Sequence, residues 1–103
     1  MGQRENAVEL YLRSEIEKLG GITRKWVSPG APGVPDQIII LHGRSIYAEV
    51  KTTDGTTSAQ QDREHARLLH CGAEVITLHG HAEVDVLIKG LARWKDHQES
   101  SST

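Results

Sequence analysis

Residues 33–51 read GVPDQIIILHGRSIYAEVK and are the part of the sequence most informative about its fold. From Asp36 to Leu41 the residues are almost all apolar, which is typical of a central strand buried on both faces. His42-Gly43 supplies a tight turn, and apolar and polar residues then alternate from Arg44 to Lys51. The stretch therefore predicts an antiparallel hairpin at the centre of a sheet.

Further helices and strands are predicted on both sides of this hairpin. Apolar residues recur at helical spacing near the start of the chain, and a capping-box pattern begins a second helix at Ser58. Together these patterns predict an α/β fold of order α-β-β-β-α-β-α, a mixed central sheet flanked by helices. In chain order the flanking elements are a helix over 5–19, a strand over 22–27, a loop over 28–35, a helix from Ser58 to Cys71, a strand over 74–79, and a helix that carries Val84, Leu87, Leu91 and Trp94.

Length and composition restrict the class of protein. The chain has 103 residues, of which 37% are hydrophobic and 25% charged, as expected for one globular domain. We expect that domain to span 1–95 and a polar, disordered tail to span 96–103. The net charge of −2 argues against a protein that coats nucleic acid, but it leaves room for a local DNA-binding patch.

Several partners and compartments are excluded by what the sequence lacks. No apolar run is long enough to cross a bilayer, and no secretory signal is present, so we expect no membrane partner. The single cysteine, Cys71, fits a reducing, cytoplasmic compartment. No Gly-x-x-x-x-Gly-Lys-Ser/Thr motif occurs, so no nucleotide cofactor is expected.

Charged residues gather around the predicted hairpin. Asp36 follows a rigid Gly-Val-Pro, and Glu49 and Lys51 share one face of the next strand. Because the chain returns antiparallel, both carboxylates can reach one end of the sheet. With the backbone carbonyl of Val50 they form an all-oxygen ligand set that suits Mg²⁺ or Mn²⁺. Lys51 could then orient or deprotonate a water, or hold a phosphate oxygen.

Each of these candidates has a simpler interpretation. Glu49 and Lys51 could lie on a solvated sheet face, although a Pro- and Gly-rich loop is an unusual way to place an idle Asp36. Glu5 lies roughly 25° from the mean direction of the first helix's apolar stripe and Glu9 roughly 65° from it. Glu5 therefore points toward the sheet, or it only complements the helix dipole. Gln61 could likewise act only in the capping box.

Three motifs in this order resemble the VRR-NUC family: GVPD at 33–36, EVK at 49–51 and SAQQ at 58–61. That family is a branch of the PD-(D/E)XK, or restriction-endonuclease-like, superfamily, and the resemblance extends from Glu5 to about Leu78. It implies a restriction-endonuclease-like core and a Mg²⁺- or Mn²⁺-dependent DNA nuclease. Stand-alone phage or bacterial members are similar to Holliday-junction resolvases and act inside the host cell.

The resemblance also implies roles for individual residues. The metal ligands would be Asp36, Glu49 and the Val50 carbonyl, and the catalytic residues Lys51, Glu5 and Gln61. One departure from the family pattern is Thr57, where a Leu usually precedes the helix Ser.

The expected partner is DNA, and several cations are candidates to contact its phosphates. Arg63 and Arg67 are four residues apart, so one helix face could carry both. We expect a homodimer acting on branched DNA, since a two-fold dimer matches the symmetry of a four-way junction. A flap or nick nuclease and a catalytically idle DNA-binding module are the alternatives. The helix with Trp94 is a possible dimer surface, unless it only packs on the sheet. The DNA-binding candidates are Lys25, Arg44, Arg63 and Arg67.

Overall fold

The computed structural model describes residues 2–101 and the side chains of residues 5–100. Its element order is the predicted α-β-β-β-α-β-α, so the predicted fold class is confirmed. In chain order the elements are α1 (Gly2–Lys18), β1 (Ile22–Lys25), β2 (Gln37–Leu41), β3 (Arg44–Lys51), α2 (Ala59–His70), β4 (Val75–His79) and α3 (Gly80–Ser101).

The four strands form one mixed sheet in the order β1-β2-β3-β4. Strand β2 pairs antiparallel with both β1 and β3, whereas β4 pairs parallel with β3. Between β2 and β3, His42 and Gly43 both have positive φ angles, 51° and 82°, as a type I′ hairpin turn requires. The register places Ile39 opposite Ile46 and directs the side chains of β3 alternately to the two faces.

The hydrophobic core lies on one face of the sheet, beneath α1 and α3. Alternate strand residues meet an apolar stripe from each helix there, so this face is filled. Glu49 and Lys51 alternate with Ala48 and Val50 along β3, and they therefore belong to the opposite face, which α2 partly covers. The buried core residues are Val8, Leu12, Ile16, Ile39, Leu41, Ile46, Ala48, Val50, Leu78, Val84 and Leu91.

The structure corrects one prediction about the end of the chain. Helix α3 continues to Ser101, so residues 96–101 of the expected disordered tail are helical. Its last turns include an exposed i,i+4 ion pair in which Lys95 Nζ lies 2.6 Å from Glu99 Oε1. Residues 102 and 103 of that predicted tail lie outside the described residues. None of the described helices combines the length and the apolar character needed to cross a membrane.

The last helix also packs more tightly than a free docking surface would. Trp94 is half-buried against the core, and the guanidinium of Arg44 lies 4.9 Å from the centre of its ring. His42 meets the same ring edge-on. The alternative of simple packing on the sheet is therefore what the structure shows for Trp94.

Candidate active site

Asp36 is held in place by its neighbours in the chain and by β3. Pro35, directly before it, is fully buried, and the backbone N–H of Trp26 donates to the Asp36 carbonyl at 2.9 Å. The side chain is fixed as well, because Val50 N–H donates to Asp36 Oδ1 at 3.1 Å. The rigid Gly-Val-Pro segment thus delivers a carboxylate to the end of β3, as the sequence predicts.

Glu49 is a buried carboxylate with one occupied and one unpartnered oxygen. The residue is 4% exposed. Its Oε2 accepts a hydrogen bond from Gln61 Nε2 at 3.1 Å and lies 3.5 Å from Lys51 Nζ. Its Oε1 is buried without a partner. A buried, unpaired carboxylate oxygen is costly, so this atom is suited to meet a cation.

The raised pKa values of the two carboxylates also indicate a site suited to a cation. Burial, and then the charge of Glu49, raise the pKa of Asp36 to about 7, against the opposing effects of the Val50 N–H and Lys25. Burial also raises the pKa of Glu49, although Lys51, His65 and Gln61 each oppose the rise. A half-buried carboxylate whose ionisation is opposed by burial and by a neighbouring carboxylate is an arrangement that a bound divalent cation relieves.

The donors at this site fit a hard cation. Asp36, Glu49 and the Val50 carbonyl are all oxygen donors, the type that Mg²⁺ and Mn²⁺ prefer. Within the described part of the chain, no group of three or more His, Cys, Asp or Glu side chains is placed to hold a metal ion. A site built on two carboxylates and a carbonyl does not need such a group, because Mg²⁺ commonly keeps several waters and takes substrate phosphate oxygens.

Gln61 belongs both to the helix cap and to the site. The capping box with Ser58 is complete, and the Gln61 amide still reaches Glu49 from its Nε2. Gly33 fixes the contact between the loop and this first helical turn. Its φ is +92°, and a Cβ there would stand 2.8 Å from the carbonyl oxygen of Gln60. The Pro- and Gly-rich loop therefore sets the position of α2 as well as that of Asp36.

Two further residues lie near the site: Glu9, for which the sequence left open whether it or Glu5 faces the site, and His65, which sequence reasoning missed. Glu9, one turn after Glu5, is the first-helix carboxylate whose charge raises the pKa of Asp36. Glu5 is half-buried. His65 lies one turn after Gln61, is buried, and leaves its Nε2 without a partner. The i,i+4 spacing of Gln61 and His65 was the signal for this second residue.

The four predicted DNA contacts have different surroundings. Lys25 is exposed, with its Nζ 3.8 Å from Glu9 Oε1. Arg63 and Arg67 line a hollow of about 230 Å³ between α2 and the Pro- and Gly-rich loop. Arg44 instead lies at the far end of β3, roughly 17 Å along the strand from Glu49. Its guanidinium is engaged by Glu74 at 2.7–3.2 Å, and it covers Trp94.

Comparisons with known proteins agree with this geometry. The chain is 46% identical over 76 residues to a protein of Acyrthosiphon pisum secondary endosymbiont phage 1 named "Putative nuclease p44", covering 73% of this chain and 82% of that protein. A solved structure described as a VRR_NUC domain matches with a TM-score of 0.78 and 35% identity, over 84% of this chain and 95% of that one. No family model matches the sequence.

A more distant solved structure shares the fold. It is Hjc of Archaeoglobus fulgidus, a Holliday junction resolvase, with a TM-score of 0.56 and 21% identity. The match covers 73% of this chain and 67% of the archaeal one. The mixed sheet and its helices therefore have a resolvase-like arrangement.

Proposed function

Because this chain belongs to the VRR-NUC family, we propose that it is a metal-dependent endonuclease that hydrolyses phosphodiester bonds in branched DNA, in the manner of a Holliday-junction resolvase. The observation that carries the proposal is the meeting of three groups at one end of the sheet: half-buried Asp36, buried Glu49 with an unpartnered oxygen, and Lys51 beside it. The name of the phage relative, a putative nuclease, supports a nuclease, and the resolvase-like fold supports a branched substrate.

Asp36, Glu49 and the Val50 carbonyl would hold Mg²⁺ or Mn²⁺. When bound there, such an ion polarises the scissile phosphate and lowers the pKa of an attacking water. Glu49 is kept ready for this role by Gln61, whose amide holds Oε2 and leaves Oε1 free to coordinate. The Val50 N–H does the same for Asp36, since it binds one carboxylate oxygen and leaves the other available.

Lys51 would act on the substrate and water. Its side chain is 15% exposed, so the ammonium stands at the border between the buried carboxylates and the solvent. From there the ammonium can donate up to three hydrogen bonds to water or phosphate oxygens, and it can so orient the attacking water. It cannot accept a hydrogen bond. The nearby Glu49 keeps the ammonium over the site.

The first helix would supply a further carboxylate. Glu5 stays a candidate from the family resemblance, for tuning the site or binding a second ion. Glu9 is supported by its charge acting on Asp36 and by its ion pair with Lys25 at 3.8 Å. Since 3.6 residues make one helical turn, Glu5 and Glu9 lie on the same side of α1.

DNA would be met through local cations, since the net charge of the chain is −2. Lys25, Arg63 and Arg67 are the exposed candidates from the sequence prediction, whereas Arg44 is committed to Glu74 and is left out. We further propose a homodimer in the cytoplasm of the host cell, because symmetric incision of a four-way junction needs two active sites.

The proposal is tested by cleavage of a labelled panel: a four-way junction, a flap, a nicked duplex and a linear duplex. The wild-type protein is expected to cut the junction with Mg²⁺ or Mn²⁺ and to be inert in EDTA. Glu49→Gln should bind DNA but not cut it, and Glu17→Gln, the same change on the exposed face of α1, should cut normally.

Each other outcome has a defined meaning. Full activity in chelator, or an active Glu49→Gln variant, would overturn the metal-dependent mechanism. Preference for flaps or nicks would retain the chemistry and change the substrate. Junction binding without any cleavage would establish the idle DNA-binding module instead.

A further inference from the structure

A cleft of about 540 Å³ lies between α1 and the edge strand β1. Cations line it from both sides: Arg13 belongs to the helix, and Arg24 and Lys25 belong to the strand. None of these three is buried. In a chain with a net charge of −2, three cations around one cleft are a local concentration of positive charge.

One end of this cleft adjoins the candidate active site. Gln37 lines the cleft, directly follows Asp36 in the chain and pairs with Lys25 across the two strands. Glu9 also lines it, and the charge of Glu9 acts on Asp36. The cleft therefore ends beside Asp36, and a polymer lying in it would continue toward the candidate active site.

The cations of the cleft have donors to spare. The Nη1 of Arg24 donates to the Thr23 carbonyl at 2.8 Å, which fixes the side chain and leaves most of the five guanidinium donors available. Arg13 lies 3.3 Å from Glu17 in an exposed pair, and Lys25 lies 3.8 Å from Glu9. The exposed Arg13–Glu17 pair contributes little, so a phosphate can replace Glu17 at small cost, and the exposed ammonium of Lys25 can bind a phosphate as well as Glu9.

We propose that this α1–β1 cleft binds the phosphodiester backbone of the DNA strand next to the scissile phosphate, with Arg13, Arg24 and Lys25 as its phosphate contacts. The inference rests on the proposed nuclease function and adds the path of the strand. Arg13 and Arg24 lie on different elements, so together they would clamp one strand from two sides. The cleft is separate from the hollow beside α2 that Arg63 and Arg67 line.

The experiment measures the Kd of a fluorescent four-way junction in EDTA from 50 to 200 mM salt, so that cleavage does not interfere. Arg24→Ala and Arg13→Ala should each raise Kd about tenfold, since each removes a charge-assisted contact. Each should also lower the slope of log K against log salt by about 0.7–0.9, the contribution of one phosphate contact. Arg24→Lys, which keeps the charge, should retain the slope.

The matched control is Arg93→Ala, which removes one exposed arginine from α3. It should leave both Kd and slope at the wild-type values. Thermal melting of every variant verifies the fold, and Arg24→Gln, which keeps part of the aliphatic stem, replaces Arg24→Ala if the latter melts early. Wild-type Kd and slope in the Arg13→Ala/Arg24→Ala double variant would overturn the proposal that the cleft binds DNA.

Cleavage by the wild-type protein is measured in parallel, so that the two proposals fail separately. If the wild type cuts the junction and the double variant binds normally, only the cleft is wrong. If the wild type binds without cutting and the arginine variants lose binding, the cleft stands and the nuclease proposal falls. A wild type that does not bind DNA at all would overturn both.

Discussion

Gln61 donates a hydrogen bond from Nε2 to Glu49 Oε2 across 3.1 Å, while its Oε1 accepts the backbone N–H of Ser58 at 2.9 Å. One amide therefore closes the capping box of α2 and fixes the buried carboxylate of β3. The capping role that the sequence offered for Gln61 is present in the structure, and the same side chain contacts Glu49, while its part in catalysis stays a prediction. The start of α2 is consequently coupled to the geometry of the candidate metal site.

Gln61→Glu and Gln61→Ala should separate these two roles. Glutamate at this position keeps the capping box but places a second carboxylate beside Glu49, which raises the pKa of Glu49 and removes a donor. We expect Gln61→Glu to melt near the wild-type temperature and to cleave DNA at least about tenfold more slowly. Gln61→Ala should instead lose about 0.5–2 kcal/mol of unfolding free energy through the cap. Wild-type cleavage by Gln61→Glu would reduce Gln61 to a cap.

The raised pKa of Asp36 predicts how the metal-free protein responds to pH. In the folded state this pKa is about 7, above the ordinary value of 3.8, so between these pH values the native protein binds more protons than the unfolded chain. Its contribution to stability is therefore fully present below about pH 4 and is lost as pH rises through about 7. The asparagine side chain of the Asp36→Asn variant cannot ionise, so this variant loses no stability in this way as pH rises.

Melting temperatures in EDTA from pH 4 to pH 8 check this expectation. Asp36→Asn should gain stability relative to the wild type as pH rises, and Asp54→Asn, the same change in an exposed loop, should not. Adding Mn²⁺ at pH 8 should stabilise the wild type and leave Asp36→Asn unchanged. Parallel curves for Asp36→Asn and the wild type at all pH values would contradict the buried-carboxylate description.

Lys51 should be distinguished from the two carboxylates by metal binding. Asp36→Asn, Glu49→Gln and Lys51→Ala should each lower cleavage at least about 10²-fold. Titration calorimetry with Mn²⁺ should show weakened binding for the two carboxylate variants and retained binding for Lys51→Ala, because an ammonium is not a metal ligand. The control is Lys89→Ala, an exposed lysine of α3. If Lys51→Ala unfolds the protein, its role is structural.

Much of the site could be predicted because it depends on local geometry. The run Ile38–Leu41 and the alternation after Arg44 specify a hairpin, and an antiparallel hairpin necessarily returns Glu49 toward Asp36. The identity of the first-helix carboxylate could not be derived in the same way. It depends on how α1 is rotated and placed against the sheet, and adjacent helical turns present Glu5 and Glu9 on one side.

Long-range pairs account for the remaining differences. Arg44 was predicted to contact DNA, yet Glu74, thirty residues later, takes its guanidinium. Nothing in the local pattern of either residue indicates that they meet. Trp94 likewise follows an amphipathic stripe that suits a dimer as well as a core. Only the packing of α3 on the sheet shows that the ring is used inside the chain.

The last prediction concerns the dimer and tests a surface other than the Trp94 face of α3. Ile22 and Ile40 are opposite each other on β1 and β2 and are 40% and 39% exposed. They lie on the sheet face opposite the core, where a second copy can cover both side chains. We expect the wild type to sediment at micromolar concentration as a species of about twice 11.4 kDa. Ile40→Lys should sediment as a folded monomer, because it places a charge in the shared surface.

Val86→Lys is the matched control, since Val86 is an apolar residue of α3 with 71% exposure. It should remain a dimer and cut both strands of a four-way junction. Ile40→Lys should keep its metal binding, because the site lies within one chain, and should nick the junction rather than resolve it, because the second active site is lost. A wild-type protein that is monomeric alone and on DNA would refute the dimer. Such a monomer would favour flap or nick cleavage, which requires a single active site.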